Sequence, residues 1–425
     1  MTSTKATLSA PERVLLVGVQ ADQIDAKEAQ SLVHELRGLA KTLGLDVVDE
    51  VVVKLREKTA NLLLGKGKAD EIATIAKSED VDSIVFDYPL SPVQQRNWET
   101  LSGKKVYDRA ELILKIFSAR AMTREATLQV ELASLKYALP RLAHSYEELS
   151  RQRGGRYGTK GSGEQKLELD RREIEKRIHE IEDELEEVKK SRSVQRKRRE
   201  RIDVPRAALV GYTNVGKSSL LNALSKANAL VEDKLFATLD PTTRRLSLAS
   251  GTTLLITDTV GFIRNLPHGL VEAFNATLEE AADADVLLHV ADASDPETAV
   301  HMATTDKVLA EIGAALVPRV YVLNKTDIAD PLVVELWRRD HPEGVLVSAA
   351  TGDGIAELLV KIEQSLTSRM EEVVLKIPHA DYALVSLVHR EGSVLSEEAD
   401  EEGTRLVCRI PERTLAKVAK YRITR

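Results

Sequence analysis

Four short stretches carry residues whose types and spacing could do chemistry on a nucleotide. The stretch "GYTNVGKS" fits G-x-x-x-x-G-K-[ST] through Gly211, Gly216, Lys217 and Ser218. A strand-like run, "RAALVGYT", leads into it and a helical one, "SLLNALSKA", follows. The two glycines permit a tight turn, so successive N–H groups can line phosphates at a helix N-terminus. That loop comprises Gly211, Tyr212, Thr213, Asn214, Val215, Gly216, Lys217, Ser218 and Ser219. Lys217 would pair the β- and γ-phosphates, and the Ser218 hydroxyl would join a Mg²⁺ shell.

The partners such a loop needs come downstream in order. In "DTVG" at 258–261, Asp258 can act on Mg²⁺ through water and the Gly261 N–H can meet the γ-phosphate. In "NKTD" at 324–327, the Asp327 carboxylate can accept both N1–H and the exocyclic amine of guanine. Adenine offers no such donor pair, and a wrong base would leave a buried carboxylate unpaired. Asn324 would brace this loop and the Lys325 stem would cover the ring. In "SAA", Ser348, Ala349 and Ala350 can bring an N–H near guanine O6. Each fragment alone could be a turn. Four in this order at successive strand ends predict a GTP site.

Between the first two motifs lies "FATLDPTTRR", where a switch loop should supply a threonine to Mg²⁺, and both Thr238 and Thr242 stand there. Lys217, Gly261 and Thr238 would then form the catalytic set. Many GTPases place a Gln after the D-x-x-G glycine to orient the attacking water. Here that residue is Phe262, which cannot hydrogen-bond water. Intrinsic hydrolysis should be slow, and something else must position water or neutralise the developing charge. Asn214 could do so by holding a cation such as K⁺, or it could stabilise its own loop. An external activator that orders the switches is the other candidate.

The elements that must position these groups can be read from periodicity. Residues 13–110 alternate strand-like "RVLLVGV", "LDVVDEVVV" and "SIVFDY" with helical "AKEAQSLVHELRGLAKTL" and "KADEIATIAKSE", an α/β layer with a parallel sheet. Its "LGKGKADEI" lacks the full phosphate-loop spacing and reads as a strand-to-helix turn that could at most touch an anion. Residues 109–201 read as helical. Leu128, Leu132, Leu135, Leu139, Leu142, Tyr146 and Leu149 form one stripe, and Ile174, Ile178, Ile181, Leu185 and Val188 another. Two such stripes around a polar hinge predict an antiparallel helical hairpin, with Pro140 kinking or breaking the first helix. Near-continuous apolar strands in 204–367 imply a sheet covered on both faces. In the tail, "EEVVLKI", "YALVSLVHR" and "TRLVCRI" read as strands before a helical "PERTLAKVAKY".

The expected fold is therefore multidomain α/β. It comprises an N-terminal α/β subdomain (1–108), a helical hairpin (109–203, tip 153–165), a P-loop domain with a mostly parallel sheet (204–368) and a small α+β domain (369–425). The 425 residues suffice for several cores, and no apolar run approaches the roughly 20 residues that span a bilayer. The start "MTSTKATLSAPERV" has no apolar leader region, and a single cysteine, Cys408, excludes an internal disulfide and a multi-cysteine zinc site. A cytoplasmic protein is expected. The net charge of −7 argues against wholesale nucleic-acid binding. Its distribution says more: residues 189–201 carry eight basic residues against Glu200, and 151–172 carry seven against three acids. A site-restricted electrostatic contact or a solvated helix face would both produce this.

Taken with the nucleotide motifs, "FDYPLSPVQQRNWE" (86–99), "VYDRAELILKIFSARAMTREATLQVELASLKYALPRL" (106–142), the glycine run before "LELDRR" and "FATLDPTTRR" resemble the HflX family of ribosome-associated GTPases. The resemblance covers most of the chain. The "F-x-T-L-x-P" setting of Thr238 is also similar to the switch of Obg-type GTPases, which favours Thr238 over Thr242. Asn214 in the phosphate loop is similar to its counterpart in potassium-activated GTPases. The family resemblance implies a monomeric cytoplasmic GTPase that binds the large ribosomal subunit and the intact 70S ribosome, splits stalled or idle ribosomes, and is stimulated by the large subunit. It also implies that the hairpin tip points into 23S ribosomal RNA near the peptidyl transferase centre. The glycine run "GGRYGTKGSGEQK" would then read RNA, with charge from Arg151, Arg153, Arg156 and Lys160. It is no second nucleotide loop, because no G-K-[ST] occurs in it and no buried strand precedes it. The run departs from the family's pattern: Arg156 and Tyr157 stand where one residue is common, Lys160 replaces Arg and Ser162 replaces Pro. Two other readings share the nucleotide motifs: a checkpoint GTPase of large-subunit assembly, and a switch whose hairpin recruits a non-ribosomal protein.

Overall fold

The structure is a computed structural model that describes residues 10–21, 24–152, 162–200, 204–225, 235–265, 278–367 and 370–423. They belong to two compact units. One is built from the described residues of Met1–Ser191, Glu232–Asp240 and Asn265–Phe274, the other from those of Arg192–Val231, Pro241–Arg264 and Asn275–Arg425. Among the described residues no helix is long and apolar enough to cross a membrane.

The first unit begins with β1 (Arg13–Gln20), α1 (Ala26–Thr42), β2 (Asp46–Lys54), α2 (Lys66–Ser78), β3 (Ser83–Phe86), α3 (Pro92–Ser102) and β4 (Lys105–Asp108). The strands form a parallel sheet in the order β2-β1-β3-β4. Sequence periodicity missed α3, although its boundary signals are written in the chain. Ser91 and Gln94 make a capping box, Pro92 opens the first turn, and Gly103 ends the helix at φ 69°. Its Trp98 is fully buried against Phe86, and the indole N–H donates to the Leu62 carbonyl at 2.8 Å.

Three helices follow: α4 (Arg109–Arg120), α5 (Arg124–Gln152) and α6 (Ser162–Glu200). Leu128, Leu132, Ile178 and Ile181 form one buried cluster, joined by Leu135, Leu139, Ile174 and Leu185, so the two stripes pack on each other. Arg177 reaches both Glu131 oxygens at 2.8 and 3.0 Å, and Arg124 reaches Glu184 at 2.8 Å, fixing an antiparallel register. Of the kink or break expected at Pro140, the break does not occur: α5 runs through it. A proline removes one rung of the helical ladder, and at this turn side-chain bonds hold the backbone in place. Arg141 donates to the Tyr137 carbonyl at 3.1 Å, the Leu90 carbonyl at 3.0 Å and Gln95 at 2.8 Å, and pairs with Asp108 at 3.3 Å. The Tyr137 hydroxyl donates to the same Asp108 at 2.9 Å.

The second unit holds β5 (Arg206–Gly211), α7 (Lys217–Ser225), β6 (Thr242–Ser247), β7 (Thr253–Asp258), β8 (Val286–Asp292), α8 (Thr298–Glu311), β9 (Arg319–Asn324), α9 (Pro331–Asp340), β10 (Val345–Leu346) and α10 (Ile355–Thr367). The sheet order is β10-β9-β8-β5-β7-β6, with only the β6–β7 pair antiparallel. β8 is buried along its whole length, as a parallel strand covered on both faces must be. Each candidate motif follows the carboxyl end of a strand, the edge where open α/β sheets bind ligands.

The same unit carries an antiparallel sheet, β12-β13-β11-β14, built from β11 (Met370–Pro378), β12 (Ser393–Ala399), β13 (Gly403–Pro411) and β14 (Arg422–Ile423). Two helices accompany it, α11 (Tyr382–Glu391) and α12 (Glu412–Val418). Here the sequence reading is corrected. "YALVSLVHR" is helix α11, whose Val385 and Val388, three apart, are buried in the cluster with Leu375, Leu406 and Cys408. Its β-branched residues suggested a strand, but the i, i+3 spacing is what the sheet face receives. The strand it displaced is β12, hidden in the acidic "SVLSEEA". Cys408 is buried, and burial pushes its thiol up to about 11.

Candidate nucleotide-binding site

The chain turns out of β5 into α7 through three backbone conformations on the positive side of φ: Gly211 at 150°, Asn214 at 63° and Gly216 at 90°. The glycines are also required by space. A Cβ on Gly211 would lie 2.3 Å from the Val290 carbonyl oxygen, and one on Gly216 2.3 Å from Asn324 Nδ2. Asn214 is exposed and takes the left-handed conformation that asparagine tolerates better than most residues. This path ends at the first turn of α7, where the helix dipole favours an anion.

Lys217 opens that helix and is 6% exposed. Its ammonium donates to the carbonyls of Gly211 at 3.1 Å and Tyr212 at 2.8 Å. Burial pushes its pKa down to about 8, against the opposing pull of the Asp258 carboxylate. The Ser218 hydroxyl donates to Asp258 Oδ2 at 2.6 Å. One hydroxyl beside one carboxylate suits a magnesium ion that takes its remaining ligands from phosphate and water. Among the described residues no cluster of three or more His, Cys, Asp or Glu could hold a metal by itself.

The "DTVGFIR" segment lies directly on the phosphate loop. Phe262 N–H donates to the Gly211 carbonyl at 3.1 Å, and Thr213 N–H to the Phe262 carbonyl at 2.7 Å. The Tyr212 hydroxyl accepts from Arg264 N–H at 2.8 Å, and the Tyr212 ring stacks on His301 at 3.7 Å. A Cβ on Gly261 would fall 2.7 Å from Thr213 Cα and 3.0 Å from Lys217 Nζ, so only glycine fits there. The Phe262 ring is 1% exposed. It is an anchor for the segment and offers nothing to a water molecule. The sequence showed the missing glutamine but not this bridge, because pairing across 50 residues leaves no local signal.

At the end of β9, Asn324 is 1% exposed and joins two loops. Its Nδ2 donates to the Val215 carbonyl at 2.8 Å, and its Oδ1 accepts from Ala349 N–H at 3.0 Å. Lys325, at φ 62°, sends its ammonium to Asp292 at 2.6 Å, which lays its stem along the end of β8. Asp292 in turn accepts from the Ser294 N–H and hydroxyl at 2.9 and 2.6 Å. Periodicity and motif spacing did not flag Asp292. The exposed Asp327 accepts from the Ser348 hydroxyl at 2.7 Å, which orients its carboxylate, and Ala350 is exposed beside them.

The structure thus brings together Gly211 to Ser219, Asp258, Gly261, Asn324, Lys325, Asp327 and Ser348 to Ala350 along one sheet edge of the second unit. Thr242 starts β6 opposite Asp258 in the antiparallel ladder, whereas Thr238 lies in the segment belonging to the first unit. Arg151 falls in the last turn of α5, while Arg153, Arg156 and Lys160 lie outside the described residues. Under the phosphate loop, His289 of β8 is fully buried, and neither ring nitrogen has a hydrogen-bond partner. Burial, then the Arg319 charge, pushes its pKa down to about 3. The Asp306 carboxylate stands 3.6 Å from Nδ1 but is already engaged by Arg319, so the imidazole stays neutral.

The chain was compared with known proteins. Residues 30–118 match the GTP-binding GTPase N-terminal family and 120–199 the GTP-binding GTPase Middle Region. Residues 206–325 match the 50S ribosome-binding GTPase family and 337–420 the HflX C-terminal domain. A protein named GTPase HflX from Akkermansia muciniphila is 46% identical over 412 residues, 94% of each chain. Another from Caldanaerobacter subterraneus subsp. tengcongensis is 43% identical over 406 residues, covering 95% of this chain and 92% of its own. A crystal structure of a GTP-binding protein from Sulfolobus solfataricus with GDP aligns at 25% identity and a TM-score of 0.44, over 84% of this chain and 99% of that one.

Proposed function

The chain belongs to the HflX family of GTPases, and from that premise we propose that its GTP hydrolysis serves to bind the large ribosomal subunit and the 70S ribosome and to split stalled or idle ribosomes. The nucleotide half of this reading rests on one observation: four nucleotide motifs stand in order along one sheet edge. The ribosomal half is supported by the match of residues 206–325 to a family described as 50S ribosome-binding. A cytoplasmic, partly ribosome-associated monomer agrees with it.

In this reading the N–H groups from Gly211 to Ser219 cradle the phosphates, and the Lys217 ammonium exchanges its two backbone carbonyls for β- and γ-phosphate oxygens. Asp327, held by Ser348, accepts N1–H and the amine of guanine. Lys325, tied to Asp292, covers the ring, and the Ser348 to Ala350 turn meets O6. Asn324 keeps base loop and phosphate loop in mutual register. Ser218 and Thr238 would hold Mg²⁺, with Asp258 acting through water, and the ion when bound would supply positive charge beside the phosphates. Thr242 is the weaker choice for this ligand, since its backbone is fixed in the β6–β7 ladder and cannot withdraw when the γ-phosphate leaves. Gly261 N–H meets the γ-phosphate.

Phe262, standing where many GTPases place a glutamine, cannot orient water, because its ring is apolar and buried. Two remedies follow. Asn214, exposed on the loop, holds a K⁺ ion, which equal hydrolysis rates in Na⁺ and K⁺ would exclude. The ribosome itself orders the switches, reached through the basic tip at Arg151, Arg153, Arg156 and Lys160. The decisive test is sedimentation of 70S ribosomes with the protein plus GTP or a non-hydrolysable analogue. Expected are co-sedimentation with the large subunit and conversion of 70S into subunits. An intact 70S peak without bound protein would overturn the ribosomal reading and leave the GTP site standing.

A further inference from the structure

The "DTVGFIR" segment is tied to the phosphate loop at Phe262 and again at Arg264, whose N–H donates to the Tyr212 hydroxyl at 2.8 Å. Both Tyr212 and Arg264 are held in turn by the entry to α8. Glu297 and His301 stand four residues apart there, joined by a helical rung from His301 N–H to the Glu297 carbonyl at 3.0 Å. That spacing turns both side chains the same way. Glu297 Oε2 meets the Arg264 guanidinium at 3.2 Å. The His301 ring lies flat on Tyr212, with 3.7 Å between centroids and 9° between planes. Asp295 sets that ring: its Oδ2 lies 3.1 Å from His301 Nδ1, and its Oδ1 accepts from Glu297 N–H at 2.8 Å. Tyr212, Arg264 and His301 are all buried, so solvent screens these contacts little. They close a ring within the second unit, from Tyr212 to His301, along the helix to Glu297, across to Arg264 and back to Tyr212.

We propose that the entry turn of α8 is a clamp on this segment. Glu297 and His301 are accordingly positioning residues for GTP hydrolysis, acting through Arg264 and Tyr212 on Gly261. Gly261 stands beside the phosphate-directed cation, since a Cβ on it would be 3.0 Å from Lys217 Nζ. The inference rests on the reading of the Gly261 N–H as the γ-phosphate contact. Phe262 offers no group to water, so the rate depends on how firmly the backbone donor beside it is held. A misplacement of about 1 Å can cost about a hundredfold. GDP has no γ-phosphate, and the loop that takes its phosphates is braced separately by Asn324 at the Val215 carbonyl. The clamp therefore serves the triphosphate alone.

The test uses the full chain without ribosomes and measures kcat for GTP, affinity for GDP and amide exchange. Glu297→Ala and His301→Ala should each lower kcat at least about tenfold and change GDP affinity less than about twofold. His301→Phe, which keeps a flat ring over Tyr212, should recover most of the rate. Glu297→Gln, which keeps an acceptor for Arg264, should recover part of it. The double alanine variant should lose little more than either single one, because both groups act on one segment. Exchange at the Phe262 and Thr213 N–H groups should quicken in the alanine variants, while β8 exchanges as in the native chain. An unchanged kcat overturns the proposal. So does a loss of GDP affinity in step with kcat, or faster exchange in β8 as well, since either reduces the contacts to general support of the fold. The premise has its own readout: in the native chain, Gly261 N–H should exchange more slowly with guanosine β,γ-imidotriphosphate than with GDP. If it does not, the reading of Gly261 has failed and the proposal fails with it. If it does, and the variants still hydrolyse GTP at the native rate, the positioning role alone falls.

Discussion

Asn324→Ala is the most exacting test of the site, because one buried amide serves two loops at once. Truncation would orphan the Val215 carbonyl, now 2.8 Å from Nδ2, and the Ala349 N–H, now 3.0 Å from Oδ1. At 1% exposure water cannot readily replace the lost groups. Leaving a buried polar group unpaired costs about 1–3 kcal/mol, so the pair should cost about 2–6 kcal/mol. Part of this appears as lost stability and part as weaker nucleotide binding, since loosened loops must be ordered again by the ligand. Urea unfolding of the free protein measures the first share and titration with fluorescent GDP the second. Their sum should reach at least about 2 kcal/mol, about 30-fold if all of it fell on affinity. The geometry gives a sharper internal check. A Cβ on Gly216 would clash with Asn324 Nδ2 at 2.3 Å. Gly216→Ala should therefore cost more in the native chain than in Asn324→Ala, although the φ of 90° keeps it costly in both. If Asn324→Ala changes neither quantity by about 0.5 kcal/mol, or Gly216→Ala costs the same in both backgrounds, the brace does not exist as described.

Other outcomes are equally definite. Lys217 has a depressed pKa of about 8 in the free protein, and bound phosphates must raise it. Binding should take up a proton above pH 8, and GDP affinity should fall as pH rises through that value, by up to about tenfold per unit; calorimetry in buffers of different ionisation enthalpy counts the proton. Asp327→Asn should shift preference from GTP toward xanthosine triphosphate by at least about a hundredfold in relative affinity, and an unchanged ratio would refute the base-reading assignment. His289 stays neutral in the fold down to about pH 3, whereas an unfolded histidine protonates near 6.5. The native chain should thus lose stability as pH falls from 6.5 toward 3, by up to about 1.4 kcal/mol per unit from this residue. His289→Leu should flatten that slope in urea midpoints measured between pH 4 and 7.

The nucleotide motifs were legible as motifs because residues suited to phosphate and guanine stand consecutively at strand ends, so the chemistry leaves a local pattern. The hairpin was legible for a related reason: Leu128 to Leu139 and Ile174 to Leu185 repeat at the spacing of a helix face. What could not be read is pairing at long range. Nothing around Phe262 announces its bridge to Gly211 and Thr213, and nothing around Asp240 announces the N-terminus of α5. Ambiguous composition accounts for the rest. "YALVSLVHR" satisfies both strand propensity and helical spacing, and only the sheet it packs on decides between them. "SVLSEEA" carries too many acids to look like a strand, yet its backbone pairs with β13. Pro140 shows the converse, a strong breaker overruled by the bonds that Arg141 and Tyr137 make around it.

Helix α5 is secured at two places, residues 122–123 by Asp240 and residues 137–141 by Asp108, Leu90 and Gln95. Between them it is a beam fixed at both ends, about 21 Å long at 1.5 Å per residue. Beyond Arg141 the helix continues to Gln152. The rung missing at Pro140 lies at the second of these supports. A load on the far end of the hairpin would concentrate there, and it would be borne first by the Tyr137–Asp108–Arg141 bonds.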